Sequence, residues 1–318
     1  METALSDKKY FLRDIIGGYM YDLGEKNDRV LLVNADLMGT CRNRNFAEAF
    51  PERSYNVGIA EQNMVSFAAG LAHEGFIPYA FSMAPFLTMR ACEQCRTDVA
   101  YANLNVRMMG TYAGLSGGIS GATHWSIEDV AIMAALPNVT VVEISDPVQA
   151  TQLMDQTLDY AGPMYIRSSV EPVFKLYGDD YKHTIGKASI PREGSDGAFI
   201  CSGIVVKYAV EASRRLKEDT GKEIRVVDMH TIKPIDREAV ISAAQTGRVV
   251  VAQDHNIYGG LGSIVAMTLA EEGCVTKFRN IGIDDKFVAM AHAPYLYHKF
   301  GYDADGLYGA MKSMLEEG

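Results

Sequence analysis

Val139-Thr-Val-Val-Glu-Ile-Ser-Asp-Pro-Val-Gln-Ala-Thr-Gln-Leu-Met-Asp-Gln-Thr-Leu-Asp-Tyr-Ala-Gly-Pro-Met-Tyr-Ile-Arg167 decides the fold class. Val139–Glu143 is a short apolar, β-branched run of strand length. Asp146 followed by Pro147 is a good N-cap and first-turn pair, so a helix is expected over Pro147–Tyr160. Met164–Arg167 is again strand-like. Strand, helix, strand in this order needs a parallel crossover and a sheet covered on both faces.

The same rhythm extends in both directions. Towards the amino end, Val30–Asn34 and Asn105–Met109 read as strands. Tyr10–Leu23, Gln62–His73 and Phe86–Tyr101 read as helices. Val173 to about Ser195 breaks the pattern with Gly178-Asp-Asp180, Pro191 and Gly194, and reads as a linker. Alternation then resumes with strands Ala198–Cys201, Arg225–Asp228 and Arg248–Ala252, and helices Val205–Leu216, Asp236–Ala244 and Gly260–Glu271. The expected fold is α/β, with two consecutive doubly wound, mostly parallel-sheet domains over residues 1–185 and 186–318.

Composition narrows the function classes. The chain has 318 residues, too many for one ordinary core and comfortable for two. With 48% hydrophobic and 22% charged residues it is globular. A net charge of −10 argues against a nucleic-acid backbone or an anionic membrane as main partner. Five scattered cysteines suit reduced thiols. The pair Cys92 and Cys95 lies in a helical run with no second ligand pair at zinc spacing. The first residues lack a signal-peptide core, and no run reaches the length of a membrane span. A soluble, cytoplasmic protein is expected.

Two segments carry chemistry. In Asn56-Val-Gly-Ile-Ala-Glu61-Gln-Asn-Met64 a carboxylate stands where the chain turns into an apolar helix, at the mouth of a parallel sheet where ligands tend to bind. An ordinary first-turn glutamate, favoured by the helix dipole, would look the same. In Gly110-Thr-Tyr-Ala-Gly-Leu-Ser-Gly-Gly-Ile-Ser-Gly-Ala-Thr-His124 a glycine-rich loop ends in a histidine just before a helix that starts near Ser126. The loop lacks the lysine of a P-loop. His124 could donate to a substrate oxygen or simply cap and pack.

Asn34-Ala-Asp-Leu37, Gly58–Gln62, Gly121-Ala-Thr-His-Trp-Ser-Ile-Glu-Asp129 and Leu136–Asp146 resemble the C-terminal half of transketolases, in that order. Ile224–Asp236 and Asp254–Gly262 resemble the third domain of the same superfamily. The resemblance covers nearly the whole chain. It implies thiamine diphosphate as cofactor, with Glu61 as the glutamate that shares a proton with the aminopyrimidine N1′. It implies Asp36, Leu37, Ile59, Glu61, Met83, Phe86 and Met89 as the cofactor wall, with Phe86 in the main stacking position. Met83 and Met89 stand where further aromatic rings are usual. Glu61 and His124 are the implied catalytic pair.

The substrate channel departs from the family. Arg13 matches one phosphate-binding arginine, but the second is expected three residues after Arg167, where Val170 stands. Ser120 replaces a hydroxyl-reading aspartate, and Tyr112 replaces a histidine. Arg13, Tyr112, Ser120, His124 and Arg167 form the implied substrate set, with Arg167, Arg53 and Lys175 as spare cations. These changes imply a ketose donor other than the usual pentose phosphates. The family's Gly-Asp-Gly metal motif has no match, and Gly178-Asp-Asp180 lacks its second glycine. No metal ligand is therefore expected here. Mg²⁺ and the diphosphate are expected on a separate N-terminal subunit, in an α2β2 enzyme acting on small sugars. The alternatives are the β-subunit of a thiamine-dependent 2-oxo-acid dehydrogenase, a deoxyxylulose-phosphate-synthase-like enzyme, and a non-catalytic α/β subunit.

Overall fold

The computed structural model describes residues 8–317. From the amino end come α1 (Leu12–Lys26), β1 (Val30–Asn34), α2 (Met38–Cys41), α3 (Arg44–Ala49), β2 (Ser54–Asn56), α4 (Glu61–His73) and β3 (Ile77–Met83). Two π-helical turns, Phe86–Arg90 and Cys95–Ala100, flank the short α5 (Cys92–Gln94). Then follow β4 (Arg107–Thr111), α6 (Asp129–Ala135), β5 (Thr140–Glu143), α7 (Pro147–Gln156) and β6 (Met164–Ser168). The second half contains β7 (Ser189–Arg192), β8 (Gly197–Cys201), α8 (Val205–Thr220), β9 (Ile224–Asp228), β10 (Thr231–Lys233) and α9 (Arg237–Ala244). It ends with β11 (Arg248–Asn256), α10 (Leu261–Glu271), β12 (Lys277–Ile283), α11 (Ala293–Phe300) and α12 (Ala304–Glu316).

The opening stretch behaves as its residues require. Asp146 caps α7 by accepting from Val148 N at 2.6 Å and Gln149 N at 3.2 Å. β5 and β6 pair in parallel, with Thr140 opposite Met164 and Glu143 opposite Arg167. The first sheet runs β10-β5-β6-β4-β3-β1-β2 and the second β12-β11-β8-β9-β7. Pairing is parallel except at the edge strands β10 and β7. Neighbours along each strand enter different cores, as the period of two demands. Val33, Ala80, Met108 and Val141 join one cluster with α4, while Leu32, Tyr79, Met109 and Val142 join another with α1 and α7. Both faces of the first sheet are thus covered.

Several elements depart from the sequence expectations. The segment read as a linker is partly built in. Tyr10 and Val173 exchange backbone hydrogen bonds at 2.9 and 2.8 Å, Leu176 and Tyr177 are buried, and β7 edges the second sheet. β10 crosses from the second half to extend the first sheet. One apolar cluster also runs from Val33 and Met64 through Met133 to Val227 and Val251, so the two domains share a continuous core. Strand β3, absent from the sequence expectations, lies between β4 and β1 in the first sheet, with Pro78 opposite Leu31. The helix expected over Phe86–Tyr101 contains wide π turns. All five cysteines are free, and burial pushes the Cys41 and Cys95 thiols up to about 12. No helix among the described residues is long and apolar enough to cross a membrane.

Candidate active site

In a parallel sheet, the carboxyl ends of adjacent strands open onto one mouth. Here β2, β1, β3 and β4 are neighbours, with Asn34 opposite both Asn56 and Phe81, and Met83 opposite Thr111. Asp36, Glu61, Met83 and Tyr112, each at or just after one of these strands, therefore gather at one edge.

Glu61 is the first residue of α4 and only 4% exposed. Its Oε1 accepts from Arg90 Nη1 at 3.1 Å. Oε2 has no hydrogen-bond partner among the described residues. The Arg90 guanidinium lies 3.9 Å from the centre of the Phe86 ring, close enough for a cation–π contact. The Phe86 ring meets the His124 ring edge-on at 5.3 Å. Glu61, Arg90, Phe86 and His124 form one row across the mouth. His124 Nδ1 is paired with Thr123 Oγ1 at 2.8 Å, and Nε2 has no hydrogen-bond partner among the described residues.

The rim is apolar and open. Ile59 is 77% exposed and Met89 43%, whereas Met83 is buried and Leu37 half-buried. Asp36 has a left-handed backbone, φ 59°, and is held by Asn56. Asn56 Oδ1 accepts from Asp36 N at 3.0 Å, and Asn56 Nδ2 donates to Asp36 Oδ1 at 3.2 Å. Tyr112 is also left-handed, φ 62°. Such strain in non-glycine residues tends to concentrate at functional sites.

The substrate set divides. Arg13 and Tyr112 meet, with Arg13 Nη1 donating to the Tyr112 hydroxyl at 3.4 Å. Ser120 is exposed in a short turn four residues before His124. Arg167 does not belong with them. It is fully buried on β6, with Nε 2.7 Å from Asp129 Oδ2 and Nη1 2.7 Å from Glu143 Oε1. Its Nη2 donates to the Asp254 carbonyl at 3.2 Å. An arginine so enclosed can touch no sugar, so its expected substrate role is corrected to that of a buried inter-domain tie. The other spare cations are also engaged: Arg53 donates to the carbonyls of Gly24 and Asn27, and Lys175 pairs with Asp179 at 2.6 Å.

Sequence reasoning missed Arg90 and Asn56 as parts of the site. Arg90 lies four residues after Phe86, a spacing that stacks side chains on one helix face and could have marked it. Among the described residues, the His and acid groups close enough to share an ion are His298, Asp303 and Asp305 in the second domain. Asp303 there caps α12 and Asp305 pairs with Arg215.

Two α/β domains with a shared core, and an acid-bearing, apolar-rimmed site at the carboxyl mouth of the first sheet, define the class of molecule. Residues 8–173 match the transketolase pyrimidine binding domain, and residues 186–307 the transketolase C-terminal domain. The chain belongs to the transketolase family. It is 38% identical over 310 residues to a 6-deoxy-6-sulfo-D-fructose transketolase subunit from a Clostridium species, covering 97% of this chain and 96% of that protein. It is 37% identical over 277 residues to an apulose-4-phosphate transketolase subunit from Actinobacillus succinogenes, covering 86% and 89%. A solved split-gene transketolase, an inactive beta4 tetramer, superposes with a TM-score of 0.86 at 35% identity, covering 97% and 99%. Campylobacter jejuni transketolase shares the fold, with a TM-score of 0.82 at 19% identity over 98% of this chain and 48% of that one.

Proposed function

We propose that this chain is the pyrimidine-binding subunit of a split transketolase. With a separate diphosphate-binding subunit, in an α2β2 particle, it moves a two-carbon ketol unit from a ketose to an aldose through thiamine diphosphate. In this reading the partner holds the Mg²⁺ and the diphosphate.

Glu61 carries the proposal. A buried carboxyl with one unpartnered oxygen, beside a phenyl ring and exposed apolar side chains, fits the aminopyrimidine end of thiamine diphosphate. A flat heteroaromatic ring needs that apolar surface, and its ring nitrogen needs a group that can share a proton. Bound thiamine diphosphate supplies the electron sink that lets a ketose C–C bond break. Glu61 Oε2 is the proton-exchanging atom, and Arg90 on Oε1 fixes the carboxyl's rotation. Phe86, Ile59, Met83 and Met89 exclude water from the ring, and Leu37 and Asp36 close the opposite rim. His124 reaches substrate oxygens through Nε2, while Thr123 fixes the ring from Nδ1.

The donor we propose is a ketose other than a standard pentose phosphate. Val170 offers neither charge nor a fork of donors for a phosphate, unlike the arginine that the family resemblance predicts there. Ser120 can read a hydroxyl but carries no charge. The relatives named for 6-deoxy-6-sulfo-D-fructose and apulose 4-phosphate support the same reading.

The test is co-expression with a chain carrying the diphosphate-binding domain, followed by a ketose screen scored by mass spectrometry. Ketol transfer by the complex, with none from either chain alone, is expected. Full transfer by this chain alone, or a complex that transfers nothing from any ketose, overturns the proposal.

A further inference from the structure

The glycine-rich loop is held from behind by the second domain. Its two ends are joined first. Gly114 N donates to Ser126 O at 2.9 Å, and Ser126 N donates to Gly114 O at 3.1 Å. Inside that closure, Leu115 N donates to both carboxylate oxygens of Asp254, at 2.9 and 3.1 Å. Asp254 lies on β11 in the second domain and is 2% exposed. The Tyr302 hydroxyl donates to its Oδ1 at 2.9 Å.

The fit leaves no slack. A Cβ on Gly114, whose φ is +61°, would sit 2.1 Å from Asp254 Cγ. A Cβ on Gly118 would sit 2.3 Å from Ala291 O, just before α11. Trp125 Nε1 donates to Gly118 O at 3.2 Å and ties the loop's middle to its end. Next to Trp125 stands His124, edge-on to Phe86. The Asp254 carboxylate is engaged by Leu115 and Tyr302, not by the Glu61–Arg90–Phe86–His124 row.

We propose that Asp254 is a positioning residue, through which the second domain sets the loop that carries Tyr112, Ser120 and His124. A carboxylate is suited to this task. It can accept two directions of one N–H and a hydroxyl at once, whereas an amide would turn a donor towards Leu115 N or Tyr302. Cofactor-facing residues lie on other elements: Glu61 on α4, Phe86 on a π turn, Asp36 after β1. The clamp therefore acts first on substrate geometry and reaches the cofactor wall only through the edge contact of His124 with Phe86. The proposal rests on the transketolase reading only for its kinetic readout.

The experiment uses Asp254→Asn and, as a second probe of the same contact, Gly114→Ala in the full chain. Hydrogen exchange is measured on the chain itself. Kinetics and thiamine diphosphate affinity are measured on the assembled enzyme. The expected result is at least tenfold faster exchange confined to residues 112–126, with β8 and β9 amides unchanged. The ketose kcat/KM falls about 10²-fold, the scale expected when a contact shifts by about an ångström, and cofactor affinity stays within about twofold. Unchanged loop exchange in both variants overturns the proposal, as does an equal loss of cofactor affinity and sugar kcat/KM. A wild-type complex that transfers no ketol unit would sink the transketolase reading, while the exchange measurement would still decide the clamp.

Discussion

Replacing Arg167 with Met separates a structural arginine from a substrate-binding one. Met keeps the length and apolar stem but removes the charge and every donor. Asp129 would retain only the Tyr165 hydroxyl, at 2.6 Å. Glu143 would retain Ser202 Oγ at 2.6 Å and Gln253 Nε2 at 3.0 Å, with no cation nearby. Breaking a buried ion pair by removing one partner costs ~3–5 kcal/mol, and here two carboxylates are orphaned, so the upper end applies. At the ~2–4 °C per kcal/mol of a mid-sized domain, the melting temperature should fall by roughly 10–20 °C. Trp125, the single tryptophan, is buried beside this network and reports its unfolding by fluorescence. A variant that melts within about 2 °C of the wild type and loses only sugar affinity would return Arg167 to the substrate channel and refute this reasoning.

Three further outcomes follow. Glu61→Gln should assemble and fold normally yet lose ~10²–10⁴ in turnover, the usual worth of a positioned acid–base group; near-full activity would make Glu61 an ordinary first-turn residue. The His183 and His230 rings lie 4.2 Å apart, tilted by 44°, and burial lowers their pKa values to about 4 and about 3. Bases with depressed pKa contribute stability above 6.5 that is lost as pH falls towards those values, so His183→Gln should flatten the fall in unfolding midpoint between pH 6.5 and 4. Buried Asp228, raised to about 7, acts in the opposite sense, losing its contribution as pH rises, but it is common to both proteins and cancels in the comparison; identical pH slopes would count against the histidine pair. Val170→Arg should raise kcat/KM for xylulose 5-phosphate relative to the enzyme's own ketose in the assembled complex, and an unchanged ratio would deny Val170 any part in specificity.

Much of the fold was legible because it is local. The Asp146–Pro147 pair announces α7 from two adjacent residues, and the apolar run Val30–Asn34 is a strand in sequence and structure alike. Glu61 at a helix start is also a local feature, readable from Gly58 to Met64. Arg167 was misread for the same reason. A charged residue on an apolar strand looks like a spare cation until Asp129, Glu143 and Asp254 are brought to it from three other elements.

What tertiary structure alone decided are pairings between residues far apart in the chain. β10 joins the first sheet although in the chain it lies between strands of the second, because an unpaired sheet edge accepts whatever strand packing delivers to it. The row from Glu61 through Arg90 and Phe86 to His124 spans three separate segments, and neither spacing nor composition encodes the 3.1 Å Glu61–Arg90 pair and the 5.3 Å Phe86–His124 ring contact that join them. The clamp of Asp254 on Leu115 joins residues 139 positions apart. Sequence determines which residues can begin a helix, enter a core or carry a proton. Which acid meets which base depends on three-dimensional distance, since charge and hydrogen-bond energies act over a few ångströms of space and not along the chain.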